Sequence, residues 1–186
     1  MNKTMKLLII PVLFLFGCEQ GIDVSNPLPE TSHEYKLIKV PLPEDLRVED
    51  LFTESKDING DTGGWFVEDF GYSGGPFGYV NFHSVLHFYS GAFSGTETIT
   101  QTFNTVTAAI TFGPSMQFNV PVDYTLTITG LDLTGVDSEY LSFVYIDASG
   151  NLYPVEYEYV DMDASTGMLK VKNAELNHFS RYGFVN

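Results

Sequence analysis

From about residue 57 the apolar positions follow a period of two. In "NVPVDYTLTITGL", Val120, Val122, Tyr124, Leu126 and Ile128 alternate with Asp123, Thr125, Thr127 and Thr129. Side chains of a strand point alternately to its two faces, so this run predicts a half-buried strand with one wet face. "SEYLSFVYID" places Leu141, Phe143 and Tyr145 on one face. Its other face, Val144 and Ile146, is apolar as well, which predicts a strand covered on both sides. "DASGNLYPVEYEYV" reads as a hairpin whose Ser149-Gly150-Asn151 turn feeds a strand carrying Tyr153, Val155, Tyr157 and Tyr159. "DMDASTGMLKVKN" turns at Thr166-Gly167 into a strand through Leu169 and Val171. "TETITQTFN" and "TAAITFG" add two strands, and "FGYVNFHSVLHFYSG" one or two more. Residues 44–56, "EDLRVEDLFTESK", fit a short helix or a first strand equally well. No long helical periodicity follows residue 60. Short strands separated by turn residues predict an all-β fold, an antiparallel β-sandwich over residues 46–186.

The beginning of the chain carries a different pattern. Lys3 and Lys6 precede an apolar run from Leu7 to Phe16. Ten residues are too few to span a bilayer, which takes about 20, and they suit the core of a secretory signal peptide, residues 1–17. The run ends at Leu15-Phe16-Gly17-Cys18, which resembles a bacterial lipobox. That resemblance implies cleavage before Cys18 and acylation of its sulfur and of the new N-terminus. Cys18 is the only cysteine, so no intramolecular disulfide or thiolate metal site can form. Acyl chains on it would give a membrane anchor, each buried methylene contributing about 0.8 kcal/mol. Residues 18–45 hold four prolines and no sustained periodicity, and read as a flexible tether. The expected location is the bacterial cell envelope. Glu19 and Gln20 follow the cysteine, with no aspartate at the position that retains lipoproteins in the inner membrane of some bacteria, so resemblance to that sorting rule favours the outer membrane.

Charge narrows the partners. The net charge is −15, and loss of Lys3 and Lys6 with the signal would take it to −17. No lysine or arginine lies between Lys56 and Lys170. Such a surface cannot neutralise phosphates, which excludes nucleic acid held by counterion release. Acidity serves solubility first, and it would also attract cations or basic partners.

Several segments together resemble a bacterial ZU-five-like domain, of the family named for zonula-occludens and netrin-receptor proteins. They are "ITFGPSMQFNVPVDYTLTITGLDL", with Phe112-Gly113-Pro114, Phe118 and Pro121; "FVYIDASGNLYPVEYEYV", with Asp147 and Gly150; and "HFSRYGFV", with His178-Phe179-Ser180 and Tyr182. Ser90-Gly91-Ala92-Phe93 stands where the family has a proline-containing turn. The resemblance covers residues 57–186. It implies a β-sandwich with a structural or protein-interaction role. Some eukaryotic relatives cut themselves between Phe and Ser of an HFS sequence, the serine attacking the preceding carbonyl and the histidine taking its proton. That would make His178 and Ser180 the actors of a self-cleaving module here. On one strand His178, Ser180 and Tyr182 share a face. The alternative is a packed or hydrogen-bonded lock that closes the last strand, and this is the expectation adopted.

Other candidate chemistry is thinner. Asp57, Asn59, Asp61 and Glu68 occupy positions 1, 3, 5 and 12 of a calcium loop, but Thr62 stands where the loop needs glycine. An acidic turn between two strands accounts for "DINGDTGG" without a metal, and calcium-dependent adhesion is the minor reading. His83 and His87 share a strand face but lie about 13 Å apart, too far to bind one zinc ion together, and His33 and His178 add no ligand spacing. Glu156 and Glu158 pair on one strand face as ordinary strand surface. The row Tyr153, Tyr157 and Tyr159 offers a contact surface if it faces solvent. The expected function is contact with an unknown envelope protein or glycan, without catalysis on external substrates.

Overall fold

The computed structural model describes residues 33–43 and 52–186. Cys18 and the signal peptide, residues 1–17, lie outside the described residues. Eleven strands are present among those described: β1 Phe52–Asn59, β2 Gly64–Ser73, β3 Tyr79–Phe88, β4 Thr96–Phe103, β5 Ala109–Gly113, β6 Gln117–Thr129, β7 Ser142–Ile146, β8 Leu152–Pro154, β9 Tyr159–Asp163, β10 Met168–His178 and β11 Arg181–Val185. They form two antiparallel sheets packed as a sandwich, one ordered β1-β4-β5-β11-β7-β8 and the other β2-β3-β6-β10-β9. The chain changes sheet every one or two strands, so both walls of the core are built along the whole sequence.

β6 behaves as its alternation predicts: Val122, Tyr124, Leu126 and Ile128 are fully buried, while the intervening threonines stay half-exposed. Val120 departs from the pattern and is exposed. Leu176 pairs with Val122 and His178 with Gln117, so the single residue Asn177 of β10 spans residues 118–121 of β6. That irregularity pushes Val120 and Pro121 away from the core. β10 carries a second bulge at Asn173, whose φ of 50° is unusual for a residue with a side chain. Thr125 and Glu158 hold it: its amide donates to Thr125 Oγ1 at 3.1 Å, and its side-chain Nδ2 to Glu158 Oε2 at 2.9 Å.

Of the two alternatives for residues 44–56, the strand holds for the described part. Phe52 to Asn59 pair with β4 in unbroken register from Phe52↔Phe103 to Asn59↔Thr96.

The row Tyr153, Val155, Tyr157 and Tyr159 is not one strand. β8 ends at Pro154, which has no amide hydrogen to continue a ladder, and β9 begins at Tyr159 in the opposite sheet. Residues 155–158 cross between the sheets. Val155 and Tyr157 pack against the core during the crossing, and Tyr159 emerges exposed. The three tyrosines therefore share no face.

Part of the expected tether belongs to the sandwich. The Lys36 amide donates to the Asn186 carbonyl at 2.9 Å and the Asn186 amide to the Lys36 carbonyl at 3.0 Å. Ile38 then bridges two neighbours, its amide donating to Phe184 and its carbonyl accepting from Ala108. The segment thus fills the place beside the end of β11 that β5 leaves empty. Ile38 and Val40 face the core and are buried, whereas Tyr35 and Leu37 cover a second cluster of Ala109, Val144, Ile146 and Val185 on the outer side. The two-sided burial expected for β7 is realised by this cover. Further on, Tyr72 of β2 donates to the Pro41 carbonyl at 2.7 Å, and burial pushes its phenol up to about 12.

Candidate interaction surface

The outer face of the β2-β3-β6-β10 sheet carries the least expected feature. β2 presents Phe66 and Tyr72 inward, where both are buried, and Trp65 and Val67 outward, 54% and 47% exposed. Trp65 lies opposite His87 on β3, and the two rings stack at 3.8 Å with 5° between their planes. Tyr89 follows, its ring 4.3 Å from that of His87, and its hydroxyl donates to the Asp123 carboxylate. That hydrogen bond is the main reason the Tyr89 phenol is held above its usual range. His87 pairs with Asp123, and Asp123 with Glu175. One cross-strand row therefore reads Trp65, His87, Asp123, Glu175, aromatic at one end and acidic at the other.

The acidic end opens into a cleft of about 550 Å³, lined by Tyr89, Val120, Pro121, Asp123, Glu156, Glu158 and Glu175 among others. Its walls are the two irregularities of the fold: the excess residues of β6 and the 155–158 crossing, tied to β10 by the Glu175 amide donating to the Glu156 carbonyl at 2.8 Å. Glu158 is paired with Lys172 at 2.9 Å, and this lysine is the main cause of its lowered carboxyl pKa. Asp123, Glu156 and Glu175 have no cationic partner among the described residues.

His178 ends β10 in one sheet, and Phe179 and Ser180 cross from it to β11 in the other. His178 and Tyr182 are consequently on different sheets and not on one strand face, because the chain bends at Ser180. Both flanks of the Phe179–Ser180 peptide are tied: the Phe179 amide donates to Met116 at 2.9 Å and the Ser180 carbonyl accepts from Phe112 at 2.8 Å. Tyr182 Oη donates back to the His178 carbonyl at 2.7 Å. The arrangement is a latch across the crossing. His178 itself packs edge-on to Tyr145 at 4.6 Å. Burial lowers its pKa, and a hydrogen bond with the Phe179 backbone opposes that to a lesser degree.

This depression has a measurable sign. Between its folded pKa and the unfolded value of about 6.5, the unfolded chain binds the proton and the folded chain does not. The stability is fully present above the unfolded value and is lost as pH falls from there through the folded pKa. Unfolding free energy measured against pH is expected to decline from pH 7 to pH 5, and His178→Gln is expected to flatten that slope. An unchanged slope in the variant would assign the decline to other groups.

The four residues of the calcium-loop match do not converge. Asp57 accepts from Thr98 Oγ1 at 2.6 Å across the β1–β4 pair. Asn59 closes the turn by accepting from the Thr62 amide at 3.1 Å, and Asp61 accepts from the Gly95 amide at 3.1 Å. Glu68 shares its strand face with Phe66, and burial, then Glu54, raises its carboxyl pKa. "DINGDTGG" is a turn that carries the chain from β1 to β2 in the other sheet. No group of three or more histidine, cysteine or acidic residues is placed to hold a metal among the described residues. His83 pairs with Asp69 at 2.7 Å, His87 is in the aromatic stack, and His33 stacks on Tyr140 at 4.0 Å. Glu156 and Glu158 do meet at one place, the acidic cleft, although on a crossing segment.

Trp65 and Val67 were not singled out from the sequence. Their signal was present: "WFVEDF" is apolar at both parities at its start, the same two-sided pattern that marks β7, yet none of the described residues covers the outer side. No protein-family model, curated protein or solved structure matches the chain.

Proposed function

We propose that this chain is a lipid-anchored module of the bacterial envelope that works by contact, through the outer face of the β2-β3-β6-β10 sheet. The observation that carries the reading is the exposed Trp65–His87–Tyr89 stack. Large exposed aromatic surface costs solvation and is typical of contact sites. Trp65 and His87 sit directly opposite each other on paired strands, and Tyr89 follows immediately after β3. The lipobox resemblance at Cys18 supports the anchor, and Glu19 in place of aspartate directly after it supports the outer membrane as its site. The ZU-five-like resemblance supports an interaction role for the sandwich. Neither the His178–Ser180 pair nor the acidic residues from Asp57 to Glu68 form a comparable arrangement, so self-cleavage and calcium-dependent adhesion are not preferred.

The test is made in bacterial cells expressing the full chain. Labelled palmitate is expected on the wild type and not on Cys18→Ala. A photo-crosslinking residue placed at position 65 or 67 is expected to trap discrete adducts, whereas one placed at position 98, on the other sheet, is not. Equal crosslinking at all three positions, or none at 65 and 67, would remove this face from the account.

A further inference from the structure

Resting on that contact reading, we propose that the occupant of this face is an extended segment of a partner protein bearing arginine or lysine. The aromatic and acidic ends of the row are complementary to one kind of side chain. A guanidinium is planar, stacks on an aromatic ring and forks onto a carboxylate. Trp65 and Tyr89 supply the rings, and Asp123, Glu156 and Glu175 supply carboxylates that have no salt-bridge partner among the described residues. Lys172, beside the cleft, is already engaged by Glu158. No lysine or arginine lies between residues 57 and 169, so β2, β3 and β6 carry none; Lys170 and Lys172 of β10 are the cations on this face, and Lys56 reaches the Trp65 carbonyl. The acidic side chains outnumber them at the cleft, so a basic segment would be drawn to it from beyond contact range. A neutral glycan would use the rings but leave the carboxylates desolvated without partners, a costly outcome. A divalent ion would need three converging ligands, which the described residues do not provide.

Trp65 is the only tryptophan of the chain, so its emission reports on this face alone. Hexa-arginine added to the full-length chain is expected to produce a saturable change in that emission. The double variant Glu156→Gln/Glu175→Gln is expected to weaken binding about tenfold or more while melting at the same temperature as the wild type. Raising the salt from about 50 to 500 mM, which shortens the screening length to a few ångströms, is expected to weaken binding similarly. Trp65→Ala, followed by calorimetry, is expected to weaken it as well. The control Glu97→Gln/Glu139→Gln makes the same charge change at exposed sites elsewhere and is expected to leave binding unaltered. No saturable change, or equal weakening by the control pair, overturns the proposal. A saturable response to chitohexaose and none to hexa-arginine also overturns it, while leaving the contact face itself standing. Loss of that face would instead show as absent crosslinks at position 65.

Discussion

Phe179→Ala is expected to destabilise the fold by about 3–5 kcal/mol, the range for emptying a buried phenylalanine site. For a chain of this size that corresponds to a fall in melting temperature of roughly 6–20 °C. Phe179 is 1% exposed and sits where four other phenylalanines meet. Its ring stacks on Phe112 at 5.2 Å and meets Phe118 edge-on at 4.8 Å and Phe88 at 6.0 Å, while Phe93 lies 6.2 Å from Phe118. These rings come from β3, the loop after it, β5, β6 and the final crossing, so the cavity would open between both sheets at once. Partial collapse is hindered because the backbone on either side of Phe179 is bonded to Met116 and Phe112. Phe179→Leu is expected to recover much of the loss. Urea unfolding measures both, and a loss below about 1 kcal/mol for the alanine variant would contradict this packing account.

The second large effect concerns where the folded unit begins. A chain starting at residue 33 is expected to be as stable as the full chain, and one starting at residue 44 to be less stable by about 3–6 kcal/mol. The figure is the burial of two aliphatic side chains, Ile38 and Val40, at about 1.5–3 kcal/mol each. The backbone bonds to Phe184, Val106, Ala108 and Asn186 are lost with them. Ile38→Ala in the full chain is expected to cost about 2–5 kcal/mol by itself. Comparing the midpoints of denaturant unfolding for the three chains decides the matter. Equal stability of the two truncated chains would return residues 33–43 to the tether.

Both predictions mark where the sequence was readable and where it was not. β6, β7 and β10 were legible because each alternates over a core that faces only one way, or is apolar on both sides. The turns at Asp147–Asn151 and Thr166–Gly167 were legible because their residues cap themselves: Asp147 Oδ1 accepts from the amides of Ser149 and Asn151, each at 2.8 Å. The tyrosine row misled because alternation continued through a change of sheet, and Pro154 was the clue that a ladder ended there. Residues 33–43 misled because their prolines imitate a linker, although Leu37, Ile38 and Val40 are as apolar as a strand. The demand for such a cover was written elsewhere, in Val144 and Ile146. The candidate surface was the least legible part. It depends on cross-strand neighbours, Trp65 with His87 and Asp123 with Glu175, that no local pattern reveals.

The junction of residues 36–40 with the end of β11 also has a mechanical consequence. Any pull transmitted along the preceding chain enters the sandwich at the Lys36–Asn186 backbone pair, and next at Ile38. Those few bonds, and not the two sheets, bear the load first. Their rupture would bare Val144, Ile146 and Val185, turning tension on the preceding chain into newly sticky surface.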